Sequence, residues 1–247
     1  MTRRLHDELV RDVLLIVLTV AMGSLDAISW AGLDKVYSAF QTGNLVTLGL
    51  GAGGASGPPV LRAGISFAAF GLGALIATRI VLGRPPHLVW PRQVTRVLVL
   101  VTAVLAAFLV LWLAVRERPS ATSADVLIGL GALAAGLQTG AMLRLGVRAV
   151  FTTAATATWT AFMSDIATDL AHRRAVDLWR VAMVLVAAFA GAAAGAALMT
   201  GARGLAPVPA VVLTALVTVI AAARFERMTL SHADAQRAAD RSSRTAA

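Results

Sequence analysis

Residues 23–51 read GSLDAISWAGLDKVYSAFQTGNLVTLGLG, and a weaker copy of this stretch returns at residues 136–165. Aligning Gly32 with Gly146 pairs Leu33 with Val147, Val36 with Val150, Tyr37 with Phe151, Ser38 with Thr152 and Thr42-Gly43-Asn44 with Thr156-Ala157-Thr158. Most pairs keep size and polarity. A one-residue slip brings Gly23 onto Gly136 and Asp26 onto Thr139. The chain reads as one unit used twice.

Working outward, the 247-residue chain is 58% hydrophobic and only 14% charged, with a mean hydropathy of +0.77. Such a composition does not suit a water-soluble domain. Apolar windows at 14–33, 65–82, 97–115, 126–143, 181–199 and 208–223 approach the roughly 20 residues that a bilayer-spanning helix requires. The fold class is therefore an all-α integral membrane protein. The first window follows Arg3, Arg4 and Arg11 but is longer than a signal-peptide core and lacks a small-residue cleavage site, so it reads as a retained helix.

The net charge of +9 does not point to nucleic acid, because the arginines sit at the ends of apolar windows and form no basic face with interleaved aromatics. With no cysteine there is no disulfide, thiol catalysis or cysteine metal site. His6, His87, His172 and His232 lie outside the windows without metal-ligand spacing. The loop GAGGASGPP at 51–59 lacks the Lys-Ser/Thr ending of a phosphate-binding loop. The expectation is no enzyme, no metal and no cofactor.

Charge bookkeeping sets the number of crossings. The segments around 36–51 and 150–171 could each span, giving eight, but Arg79, Arg84, Arg92, Arg96, Arg144 and Arg148 would then lie outside, against the positive-inside rule. If both segments dip in and return, there are six crossings and those arginines, with Arg173, Arg174, Arg180 and the tail, lie in the cytoplasm. Three crossings per copy turn the second copy upside down. The expected architecture is six transmembrane helices as two three-helix inverted repeats, each with an interrupted or re-entrant polar segment, an arrangement common in secondary transporters. The organisation is a cytoplasmic flank at 1–12, repeats at 13–120 and 121–223, and a disordered basic tail at 224–247, with both termini cytoplasmic in a bacterial inner membrane.

Asp26 is the leading candidate for chemistry, because a carboxylate at mid-helix costs about 2.5–3.5 kcal/mol on insertion scales and must be sheltered from lipid. Thr19, Gly23, Asp26 and Ser29 share one stripe, which should face protein. The opposing interpretation is an aspartate that only cements the bundle. Gln41, Thr42, Gly43 and Asn44 supply polar groups beside a break, and Thr42 or Asn44 could cap a short helix whose N-terminus receives an anion. Gln138, Thr139, Thr156 and Thr158 are the matching groups of the second copy. Gly71, Gly136, Gly140, Gly191 and Gly195 read as helix-packing positions.

The motifs GSLDAIS and AFQTGNLVTLGLG resemble the opening signature of the YoaK family of small bacterial multispanning membrane proteins of unassigned function. GLQTGAMLRLGV and VFTTAATATWT resemble its second signature. The likeness runs from about Leu14 to Ala223 and implies about six helices, without a substrate. The sequence departs from the family at Thr139, where Asn is usual, and at Thr156-Ala157-Thr158, where Thr-Gly-Thr is usual. The functional expectation is a small secondary transporter with a midplane site around Asp26 and residues 42–44, its partners the lipid bilayer and an unidentified small solute or ion. Self-association as a homo-oligomer is open. The alternative is a non-transport membrane subunit or a lipid- or partner-binding scaffold.

Overall fold

Proline and serine set where the helices start. Pro59, Pro91 and Pro207 occupy the residue before the helices that begin at Val60, Arg92 and Val208, where a fixed φ and a missing N–H cost nothing. Ser120 accepts a hydrogen bond from the Ser123 amide at 3.3 Å and caps the helix that begins at Ala121. A computed structural model of the chain describes residues 2–57, 59–82, 89–115, 119–145, 147, 155–168 and 175–226. Its helices are α1 (Thr2–Gly32), α2 (Gln41–Ala52), α3 (Val60–Val81), α4 (Arg92–Ala114), α5 (Ala121–Leu143), α6 (Ala155–Thr168), α7 (Ala175–Gly201) and α8 (Val208–Ala221). A 3-10 turn (Arg203–Leu205) precedes α8 and a π-turn (Ala222–Glu226) extends it.

Among the described residues, six stretches are long and apolar enough to cross a membrane: Arg4–Gly32, Val60–Val81, Arg92–Ala114, Ala121–Leu143, Trp179–Gly201 and Arg203–Phe225. α2, at 12 residues, is too short, and the described part of α6 has 14 residues. Outward-facing Leu61, Val110, Phe189 and Val219 are among the exposed apolar side chains that meet lipid. Leu18, Met22, Leu25 and Ile28 of α1, Leu98, Leu105, Phe108 and Trp112 of α4, and Leu127 and Ile128 of α5 form the centre.

Ion pairs and ring contacts sort the helix ends into two groups. At one end Asp7 pairs with Arg224 at 2.9 Å, Asp12 with Arg180 at 3.4 Å, and Trp90 stacks on Phe225. At the other, Arg62 pairs with Asp34 at 3.2 Å and Asp125 at 2.9 Å, and Trp112 donates to the Arg203 carbonyl at 3.0 Å. The end of α1 and the start of α3 thus lie together, so residues 33–59 leave and return on one side. An eight-crossing chain would separate them.

Bilayers offer helices no hydrophobic drive toward one another, so close backbone approach has to supply the packing. Two crossings do this. On α1 and α7, a Cβ at Gly23 would meet the Ala188 carbonyl oxygen at 2.5 Å, Gly191 lies against the Val20 carbonyl and Gly195 against that of Ser24. On α3 and α5, Gly136 lies against the Phe70 carbonyl, Gly73 against that of Leu133 and Gly140 against that of Ala74. Gly71 does not serve as the sequence suggested: no atom lies within 4 Å of the position its Cβ would take, and the buried stripe of α3 runs through Ala63, Ser66, Gly73 and Ala77.

The boundaries at both termini also differ from the sequence reading. Residues 2–12 are part of α1, because Asp7 and Asp12 are buried against the arginines that neutralise them. Arg224 and Phe225 belong to the bundle through Asp7 and Trp90; the remainder of the expected tail, residues 227–247, lies outside the described residues.

Candidate functional site: a reversed segment clamped by side chains

α1 ends where Asp34 and Lys35 both adopt left-handed backbone, at φ 64° and 60°. Non-glycine residues there cost about 1 kcal/mol or more each. The Arg62–Asp34 pair and the Lys35 ammonium, 5.7 Å from the Trp30 ring centroid, hold the turn. Val36 to Phe40 then run back along α1 without helical hydrogen bonds, and α2 starts at Gln41.

Non-helical backbone at membrane depth must find partners within the protein. Here side chains supply them. Asp26 Oδ1 accepts the Ser38 amide at 2.8 Å and the Ala39 amide at 2.7 Å. Asn44 Oδ1 accepts the Tyr37 amide at 3.1 Å, while its Nδ2 donates to the Tyr37 carbonyl at 2.8 Å. Ser66 Oγ donates to the same carbonyl at 2.6 Å, and Gln41 Nε2 donates to the Ser38 carbonyl at 2.8 Å. Asn44 and Gln41 also reach Ser66 Oγ, at 2.9 and 3.2 Å, which closes the network.

The clamp explains several residue choices. Gly43 lies under the Tyr37 and Phe40 rings, where a Cβ would meet Phe40 at 2.8 Å. Gly131 of α5 makes room for Ser38 Oγ, which would stand 2.7 Å from a Cβ there. α2 returns toward the end it came from, with Asn44 beside Ser66 and Gly51 beside Val60.

Of the residues expected at a site, Asp26, Gln41 and Asn44 converge, and Gly43 supports them. Ser29 is fully buried and its hydroxyl makes no hydrogen bond among the described residues. Thr42 is exposed, and the residue preceding α2 is Phe40, so neither Thr42 nor Asn44 caps the helix. The Gln41 and Gly43 amides already bond to the Ala39 and Phe40 carbonyls. Asp26 binds the amides of the turn that precedes α2, at Ser38 and Ala39. Gln138 is buried and its Nε2 lies 3.4 Å from the Leu18 carbonyl, about 12 Å along α1 from Asp26. Thr139 Oγ1 donates to Ala135 within α5 at 2.7 Å. Thr156 is exposed and Thr158 buried on α6, which packs on α7. Sequence reasoning missed Ser66, although it is the one uncharged polar residue in the first half of α3.

Asp26 stands six residues before the end of a 31-residue helix, about 9 Å from that end. Oδ1 takes the Ser38 and Ala39 amides, and the Phe40 amide also faces the carboxylate.

A bundle of six spanning helices around a clamped, non-helical segment defines an integral membrane protein of the multi-pass helical class. The chain belongs to a family described as a protein of unknown function (DUF1275), whose model matches residues 14–220. It is 30% identical over 164 residues to UPF0700 transmembrane protein YoaK of Bacillus subtilis (strain 168), covering 66% of this chain and 71% of that protein. No solved structure matches the chain.

Proposed function

We propose that the protein is a small secondary transporter of the bacterial inner membrane, built as an inverted repeat, in which the Asp26 carboxylate and the segment it holds form the site for a small solute or ion. The observation that carries the reading is Asp26 itself, an acidic group within a spanning helix whose carboxylate holds broken backbone. Protonation, or a cation on the carboxylate, would weaken the bonds to the Ser38 and Ala39 amides and loosen residues 36–40. Solute movement would be coupled to that release.

The spacing of matched contacts supports the duplication. One spacing separates Gly23 from Gly136 and Val20 from Leu133; a second separates Phe70 from Ala188 and Gly73 from Gly191. Hence the Gly23–Ala188 contact corresponds to Gly136–Phe70, and Gly191–Val20 to Gly73–Leu133. A third spacing separates Pro91 from Pro207, Leu98 from Thr214 and Thr102 from Thr218. The Thr102 and Thr218 hydroxyls touch at 3.2 Å, and each bonds its own preceding turn, at Leu98 and Thr214. A residue that touches its own counterpart lies on the two-fold axis, here midway along α4. The positive-inside rule puts the end carrying Arg4, Arg11, Arg92, Arg96, Arg180 and Arg224 in the cytoplasm, with both termini.

A second reading, a non-transport scaffold, draws on the same network, since Gln41, Asn44 and Ser66 are all occupied in holding backbone. The two separate experimentally. A thermal-shift screen of purified protein against solutes and ions, followed by uptake into proteoliposomes, is expected to find a ligand whose coupled uptake Asp26→Asn abolishes while the variant stays folded. Full coupled uptake by the Asn variant would assign Asp26 to the scaffold.

A further inference from the structure

We propose that two arginine–aspartate pairs, Arg62–Asp125 and Arg180–Asp12, are the opposing gates of the transport cycle, each closing one end of the path to the Asp26 segment. This rests on the transporter reading above. The spacing that relates Gly23 to Gly136 also relates Asp12 to Asp125, and the spacing that relates Gly73 to Gly191 also relates Arg62 to Arg180. The two ion pairs are therefore counterparts, and they stand at opposite ends of the molecule. Arg62 Nε binds Asp125 at 2.9 Å where α3 and α5 begin; Arg180 Nη1 of α7 binds Asp12, ten residues into α1, at 3.4 Å.

Each pair joins the two helices of one glycine crossing, about three turns from it. Asp12, Arg180, Arg62 and Asp125 precede Gly23, Gly191, Gly73 and Gly136 by the same number of residues, about 16 Å of helix. Backbones in contact at glycine form a pivot with no side chain to shear. A rotation of about 10° there moves a point 16 Å away by roughly 3 Å, enough to part an ion pair. Because the pairs lie at opposite ends, opening one exposes one face only.

The gates also reach the site. Arg62 binds Asp34 in the left-handed turn that sends residues 36–40 back to Asp26, so parting Arg62 frees the turn on that side. Asp12 is held at its other oxygen by Arg11, at 2.8 Å. Side-chain exposures of 22% and 30% leave Arg62 and Asp125 partly open to the surface, whereas Arg180 and Asp12, at 12% and 8%, are closed over.

The chain has no cysteine, so Ser38→Cys supplies one reporter beside Asp26. Its labelling by an impermeant maleimide would be compared in right-side-out and inside-out vesicles. Asp125→Asn is expected to raise the outside-to-inside labelling ratio about fivefold or more, and Asp12→Asn to lower it comparably. Asp125→Glu keeps the charge that Arg62 faces and should hold the parent ratio, and Arg180→Gln, which should lower the ratio as Asp12→Asn does, carries the test should an Asn variant not fold. A ratio unmoved by both Asn variants, a shift of the same sign in both, or an Asp125→Glu ratio as far from the parent as that of Asp125→Asn would overturn the gates. Labelling of the parent from either side with an insensitive ratio removes the gates and leaves the transport path standing. No labelling of position 38 from either side in any variant removes the path itself.

Discussion

Two glycine crossings, α1 on α7 and α3 on α5, are built alike, whereas the broken segment that follows α1 is held by polar side chains. In the first half Asp26, Gln41, Asn44 and Ser66 converge on residues 37–39. Their counterparts by spacing are Thr139, Ala155, Thr158 and Val184. The carboxylate, both amides and the serine hydroxyl have all been exchanged for smaller or apolar groups. Glycines, which packing demands, stand at both crossings, whereas among the described residues the polar clamp is seen after α1. The glycines make the bundle, and the clamp is where the proposed chemistry would lie.

The largest expected effect breaks the halves apart. Asp26→Leu should destabilise by about 4 kcal/mol, since the Ser38 and Ala39 amides are orphaned at roughly 2 kcal/mol each, whereas Thr139→Val should cost under about 1 kcal/mol. Thermal or denaturant unfolding in detergent checks this, and equal losses would remove the contrast. Next, Asn44→Leu should cost about 3 kcal/mol by leaving both Tyr37 backbone groups short of a partner, against about 1 kcal/mol or less for Thr158→Val.

Two further substitutions should leave the halves level. Gly136→Ala and Gly191→Ala each push a methyl group against a backbone carbonyl, of Phe70 and Val20, and should each cost about 2 kcal/mol. A loss confined to one of them would show that the crossings are not equivalent. Smallest of all, Thr102→Val and Thr218→Val should each change stability by about 0.6 kcal/mol, with a double variant showing coupling through their shared contact.

Much of the bundle was legible in the sequence because lipid imposes length and apolarity on every span, and each of the six windows overlies one candidate span, overrunning it by a residue at most. Asp26 stood out for the same reason. The clamp was legible only in part. Asn44 and Gln41 were visible as polar residues at a break, but Ser66 is 22 residues further on from Asn44, and what joins them is the backbone of Tyr37, which no side-chain pattern announces. Thr42 looked equivalent to Asn44 yet is turned outward by the helix, two positions away. Gly71 was preferred to Gly73 because the local run of small residues does not reveal which face meets α5. The ion pairs of Asp12 and Asp7 escaped notice since their partners lie 168 and 217 residues away.

The crossing of α3 places Ser56, beside its start, and Arg92, at the start of α4, on opposite sides of the membrane, and the proposed inverted repeat requires position 56 to face outward. Single cysteines at these two positions, probed on intact cells with an impermeant thiol reagent before and after permeabilisation, read this out directly. Position 56 should label without permeabilisation and position 92 only after it. Labelling of position 92 from outside, or equal labelling of both, would contradict six crossings and with them the inverted repeat.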